Sequence, residues 1–199
     1  NQKFKVPNTN STAIEIFKDL NFSKDEIMII SPVLKRAEYK KGKQLLKADE
    51  TGDTQYYVYE GCLRLYHIDV NGKDHTIQFA IKDWWICDCT AFFTDTKATM
   101  NIEVISDAIV YELSKKDRDF LYEKSSKIES FFRKKLERAF ASFQTRMLGN
   151  ISLSAKERYI KFINTYPNIE KSIKNYHIAS YIGITTESLS RIRKELSNS

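Results

Sequence analysis

The stretch NYHIASYIGITTESLSRIRKEL, Asn175 to Leu196, sets two short helical patterns on either side of one glycine. Ile178, Ala179 and Ile182 recur at helical spacing, and Gly183 follows where a helix ends on a left-handed residue that a Cβ would strain. Thr185 reads as an N-cap, its hydroxyl accepting from an unpaired N–H of a second helix, Thr186 to about Leu196. Leu189, Ile192 and Leu196 fall on one side of that helix; Glu187, Ser190, Arg191 and Lys194 fall on the other. Ala179 lies in the crook, where a larger residue would push the helices apart. The pattern is a helix-turn-helix, and its plainest reading is an amphipathic pair with a solvated charged face. The demanding Ala–Gly–apolar spacing and the exposed residue types favour a surface that reads DNA. Arg bonds guanine bidentately, and Glu accepts from a cytosine amine.

Charge is distributed to match. The chain of 199 residues carries a net charge of +6, but residues 1–123 sum to −3 and residues 124–199 to +9. The excess lies where the helix pair lies, as phosphate contact requires. No apolar run approaches the roughly eighteen residues of a membrane span, and the start at Asn1 offers no signal-peptide core, so the expected location is cytoplasmic. Cys62, Cys87 and Cys89 are odd in number and lack a repeated C-x-x-C, which fits small buried thiols in a reducing compartment. His67, His75 and His177 give Cys87 and Cys89 no clustered partners, so no metal site is expected. Without a Ser/His/Asp set, a Gly-rich phosphate loop or H-E-x-x-H, no enzyme activity and no catalytic residue is expected.

Upstream, about Tyr39 to Leu113, TQYYVYEG, CLRLYHID, HTIQFAI, MNIEVI and AIVYELS read as short strands, with Gly61 dividing the first two. Asp69-Val70-Asn71-Gly72 is a hairpin turn signal. Many short strands suggest a barrel or jelly roll. STAIEIFKDL and SKDEIMIISPVL precede them as short helices with serine caps. From about Ser126 to Leu148 one long helix carries Phe132, Leu136, Ala139 and Phe143 at spacings of 4, 3 and 4, broadened by Ile128, Phe131, Phe140 and Met147. Part of that stripe packs on the barrel and the rest on a second subunit, with Phe132, Leu136, Ala139 and Phe143 as the dimerisation set. Arg133, Lys134 and Lys135 read as its solvated face. Ser154 caps KERYIKFINTY, and Pro167-Asn168 break it. Three parts follow: 1–125 sensor domain, 126–148 dimerisation helix, 149–199 DNA-binding domain. The fold class is α+β: an N-terminal jelly-roll β-barrel, a long dimerisation helix and a C-terminal helix-turn-helix.

In this order the chain resembles the Crp/Fnr family of bacterial transcription regulators, most specifically in YVYEGCLRLYHIDVNGKDHTIQFAIKDWW (Tyr57 to Trp85) and IASYIGITTESLSRIRKEL. The resemblance implies a cyclic-nucleotide-binding-type barrel, a homodimer, a winged-helix domain on double-stranded DNA, and RNA polymerase as a further partner. Recognition helices in the family often carry E-x-x-S-R, here Glu187, Ser190 and Arg191; with Thr186 and Lys194 they form the expected DNA-binding set. The wing usually follows this helix. The chain stops at Ser199, so a winged-helix-like domain with a truncated wing is expected.

Cyclic-nucleotide-binding members carry G-E and, ten residues beyond the Glu, R-[ST]-A. Aligned on Phe92-Phe93, those places hold Cys87, Asp88, Ala98, Thr99 and Met100. The phosphate-clamping arginine is missing, and Lys97 beside it points to the opposite face of an extended segment. Cys87, Asp88, Lys97 and Thr99 are therefore candidates for a degenerate effector pocket of unknown ligand. Cyclic AMP is not expected to bind, and no cofactor is implied. Trp84, Trp85, Phe92 and Phe93 could line a pocket or form core. The alternative function is a nucleotide- or small-molecule-sensing module whose last domain binds a protein.

Overall fold

The computed structural model describes residues 9–18 and 20–198. Two short helices open it, α1 (Thr9–Ile16) and α2 (Lys24–Ile30). Ser23 caps α2 in a capping box with Glu26, as its sequence signals. α1 starts two residues before Ser11, so that serine is inside the helix and not its cap. Residues 1–8 and Asp19, where the readings of the chain's start and of the end of STAIEIFKDL fall, lie outside the described residues.

The barrel strands are β1 (Lys35–Tyr39), β2 (Gln44–Leu46), β3 (Thr54–Ile68), β4 (Asp74–Ala80), β5 (Trp85–Ile86) and β6 (Asn101–Ser114), with helix α3 (Cys89–Thr94) between the last two. Pairing is antiparallel throughout, in the order β1-β6-β3-β4, with β2 on β6 and β5 on β3. Five short strands were expected where β3, β4 and β6 stand. Gly61 does not end a strand. It bends β3, with register shifts on both sides, at φ +89°. A Cβ there would lie 2.4 Å from the Asp107 carbonyl oxygen, so only glycine fits against β6. MNIEVI and AIVYELS are likewise halves of β6. The Asp69–Gly72 turn is as expected: Asp69 Oδ1 accepts from the N–H groups of Asn71 and Lys73, and Gly72 takes φ +78°.

β3 is buried on both faces for much of its length. Val58, Leu63 and Leu65 join Val104 and Val110 in one cluster; Tyr57 joins Tyr111 and Leu113 in another with the helices. That double burial explains the near-continuous apolar run in place of strict alternation. Helices α4 (Lys115–Lys124) and α5 (Ser126–Ser152) follow. α5 runs four residues beyond the expected Leu148, to Ser152, and is followed by the cap residue Leu153, whose N–H donates to the Gly149 carbonyl. Then come α6 (Ala155–Thr165), α7 (Asn175–Ile182) and α8 (Thr186–Ser197). Ser154 caps α6 in a capping box with Glu157, and Asn168 turns the chain at φ +65°.

Candidate nucleic-acid interface

α7 and α8 meet as their sequence requires. Gly183 ends α7 at φ +76° with its N–H on the Ala179 and Ser180 carbonyls, and Thr185 caps α8 by accepting from the Ser188 N–H. Ile178, Ala179, Ile182, Leu189 and Ile192 are buried together. Glu187, Ser190, Arg191 and Lys194 are exposed along the opposite side, and Thr186 is half-buried at the helix start. Arg191 and Lys194 form no hydrogen bond or salt bridge through their side chains among the described residues. The Glu187 carboxyl is held below the usual carboxylate range by its own backbone N–H and by the Thr185 and Thr186 hydroxyls, so it stays ionised. Ser190 Oγ donates back to the Thr186 carbonyl at 3.0 Å. The row therefore offers one anionic acceptor in the first turn of α8 and two uncommitted cations, Arg191 in its middle and Lys194 in its last turn.

α5 divides its stripe between two environments. Ile128, Phe131 and Phe132 are buried against the barrel helices. Phe132, expected at a subunit interface, is 8% exposed and packs on Phe17, Trp85, Tyr122 and Phe131 of its own chain. Leu136, Phe140, Phe143 and Met147 instead remain 46–60% exposed, and Ala139 is also exposed. Arg133 and Lys134 are exposed, with Arg133 paired to Glu137 one turn on.

Of the four candidates for an effector pocket, Asp88 and Thr99 meet directly, the Thr99 hydroxyl donating to Asp88 Oδ2 at 3.5 Å, and Cys87 adjoins Asp88 in the chain. Asp88 is 0% exposed and caps α3. Its Oδ1 accepts from the N–H groups of Thr90 and Ala91, and its Oδ2 from those of Thr99 (2.9 Å) and Met100 (3.1 Å). With both oxygens occupied by backbone donors, it stitches α3 to the start of β6 and has no lone pair left for a ribose hydroxyl. Cys87 is buried, its Sγ 3.5 Å from that of Cys89; Lys97 and Thr99 are exposed. Ala98 is buried beside Lys97, so the two point to opposite faces. Of the four aromatic residues, Phe92 is core, Phe93 is exposed, and Trp84 and Trp85 line a cleft between barrel, α5 and the last domain. Among the described residues no group of three or more His, Cys, Asp or Glu side chains is placed to hold a metal, and no helix is long and apolar enough to cross a membrane.

Sequence reading missed the joint between barrel and helix-turn-helix. Ser180 of α7 accepts from the Thr76 N–H at 2.8 Å and donates to the Asp74 carbonyl at 3.0 Å, both on β4. Beside it, Phe79 of β4 packs edge-on against Phe162 and Tyr166. These partners lie about a hundred residues apart in the chain, and no local pattern marks them.

The fold and this site together define a cyclic-nucleotide-binding-type barrel carrying a helix-turn-helix. Residues 36–125 match the family model of the cyclic nucleotide-binding domain. None of the curated proteins matches the sequence. Solved structures of similar fold include a mutant of CooA from Carboxydothermus hydrogenoformans, with TM-score 0.70 and 14% identity over 93% of this chain and 84% of that one. The c-di-GMP responsive global regulator CLP of Xanthomonas campestris has TM-score 0.69 and 12% identity over 88% and 92%. A transcriptional regulator of the crp/fnr family from Eubacterium rectale has TM-score 0.67 and 17% identity over 92% and 86%. The chain thus has the Crp/Fnr architecture, as its sequence resemblance implied; at these identities the likeness is one of fold.

Proposed function

We propose that the chain is a homodimeric, sequence-specific DNA-binding transcription regulator whose barrel does not take a cyclic nucleotide. The observation that carries this reading is the exposed row on α8. Glu187, Ser190, Arg191 and Lys194 stand clear of the domain core on the helix that a helix-turn-helix places in the major groove. The apolar stripe of α5 supports a dimer, whose two-fold axis would set the spacing of two such helices. Transcriptional regulation and contact with RNA polymerase are carried over from the family resemblance. Selection from random-sequence DNA, repeated across a salt series, tests the reading. The expected result is an enriched motif and an affinity that falls steeply with salt, because phosphate contacts release counterions. Equal retention of all sequences would overturn it.

Charge weighs against a cyclic nucleotide in the barrel. A cyclic phosphate taken into the barrel needs a fixed cation, and arginine's planar fork suits that role. Ala98 stands there instead, and the N–H donors of Thr99 and Met100 are already taken by Asp88. Titration calorimetry with cyclic AMP should give no heat beyond dilution; a stoichiometric isotherm would show that the Asp88 contacts open.

A further inference from the structure

We infer that the cleft between the barrel, α5 and the last domain is a binding site for an aromatic organic anion. Its volume is about 500 Å³, inside the range of small-molecule sites. Trp84, Trp85, Phe162, Tyr166 and Tyr181 supply aromatic walls. Lys135, Arg138, Arg146, Arg158 and Lys161 supply five cations. Among the described residues Asp83 is the only carboxylate in the lining, and it is already held by the Tyr57 hydroxyl at 2.6 Å and the Lys18 ammonium at 3.1 Å.

The cations are not neutralised from within. Arg146 donates to the Ile77 carbonyl, and Arg158 to those of Ile182 and Leu153, which are neutral acceptors. Arg138 and Lys161 make no side-chain hydrogen bond or salt bridge among the described residues. Such a surplus beside aromatic faces is complementary to a flat anion, which stacks on the rings while its charged group meets the guanidinium and ammonium groups. A neutral apolar molecule would leave those charges desolvated without a partner. The site lies apart from Asp88 and Ala98, and it is walled by β4, α5, α6 and α7 together. An occupant would therefore bear on the joint that holds the helix-turn-helix to the barrel.

The chain has two tryptophans, and both line the cleft, so the site carries its own reporter. The probe is 8-anilinonaphthalene-1-sulfonate, titrated into the full chain without DNA, so that failure here is separate from failure of the DNA reading. Tryptophan emission should fall as sensitised dye emission rises, saturating at one dye per chain. N-phenyl-1-naphthylamine, the same body without the sulfonate, should bind at least about tenfold more weakly. Arg138→Gln with Lys161→Gln should weaken the sulfonate to a similar degree at unchanged melting temperature. Phe140→Ser, on the α5 stripe, should leave its affinity unchanged. Equal binding of both dyes, insensitivity to the Arg138 and Lys161 changes, or loss on Phe140→Ser would each overturn the proposal.

Discussion

Arg191 and Arg193 stand two residues apart on α8 and do different work. The Arg193 guanidinium donates to the Tyr159 hydroxyl at 3.1 Å, the Asn175 carboxamide at 2.7 Å and the Glu170 carboxylate at 2.8 Å, tying α6, α7 and α8 together. Arg191 meets none of these and points outward. Arg191→Ala should leave the melting temperature unchanged and remove about 1–3 kcal/mol of discrimination at one base position. Arg193→Ala should lower the melting temperature through its lost contacts. An Arg191 variant with wild-type sequence preference in the selection would contradict the assignment. His177 gives a second test. It is buried against the barrel, and burial, then the Arg64, Lys174 and Lys41 charges, depress its pKa to about 4, with Asp74 acting in the opposite sense. The folded pKa lies below the unfolded value of 6.5, so the unfolded chain binds the proton first. Stability is therefore complete above pH 6.5 and declines as pH falls toward 4, by on the order of 1–3 kcal/mol from this residue. Urea denaturation at pH 7 and pH 5 should show a larger loss in the wild type than in His177→Gln; equal losses would remove His177 from the account.

Among the elements, those governed by local chemistry were legible. Gly183, Thr185, Ser154 and Ser23 act within a few residues of themselves, and each stands where its spacing placed it. The strands were less so. Gly61 carries a turn signal, yet the β3 backbone continues through it, because the deciding contact is with Asp107 and Ala108 on β6, outside any local window. α5 is one helix that packs on the barrel over its first part, as its sequence implied, but sequence spacing alone cannot say where that contact ends. Phe132 is covered by Phe17 and Trp85, from parts of the chain more than forty residues away. The unpartnered stretch begins at Leu136 and continues through Phe140, Phe143 and Met147, at spacings of 4, 3 and 4 that suit a paired helix. Leu136→Ser with Phe140→Ser should convert a sedimenting dimer into a folded monomer of unchanged helix content. Phe132→Ser should instead lower the melting temperature, since it opens the core of its own chain. A wild-type chain that sediments as a monomer at high concentration would defeat the dimer.

At the scale of the whole molecule, the barrel and the helix-turn-helix form one connected body. Arg64, 1% exposed, sits beneath α7 and joins Asp74, Thr76 and Glu103, while Ser180 and Phe79 close the same joint. None of this was visible in the sequence, whereas the identity of position 98 was: an alanine stands where the resemblance implies an arginine. What the sequence could not tell is that Asp88, aligned with a ligand-binding Glu, is saturated by backbone donors and belongs to the scaffold. A ligand in the cleft would act by biasing the joint between states with different spacings of the recognition helices. In the proposed function two copies of α8, set by paired α5 helices, read one two-fold DNA site. Sedimentation of the chain on its selected duplex tests this most directly, with footprinting of the same complex. The expected result is two chains per duplex and two protected half-sites about 34 Å apart. One chain bound at full affinity to a single, non-palindromic site would contradict it.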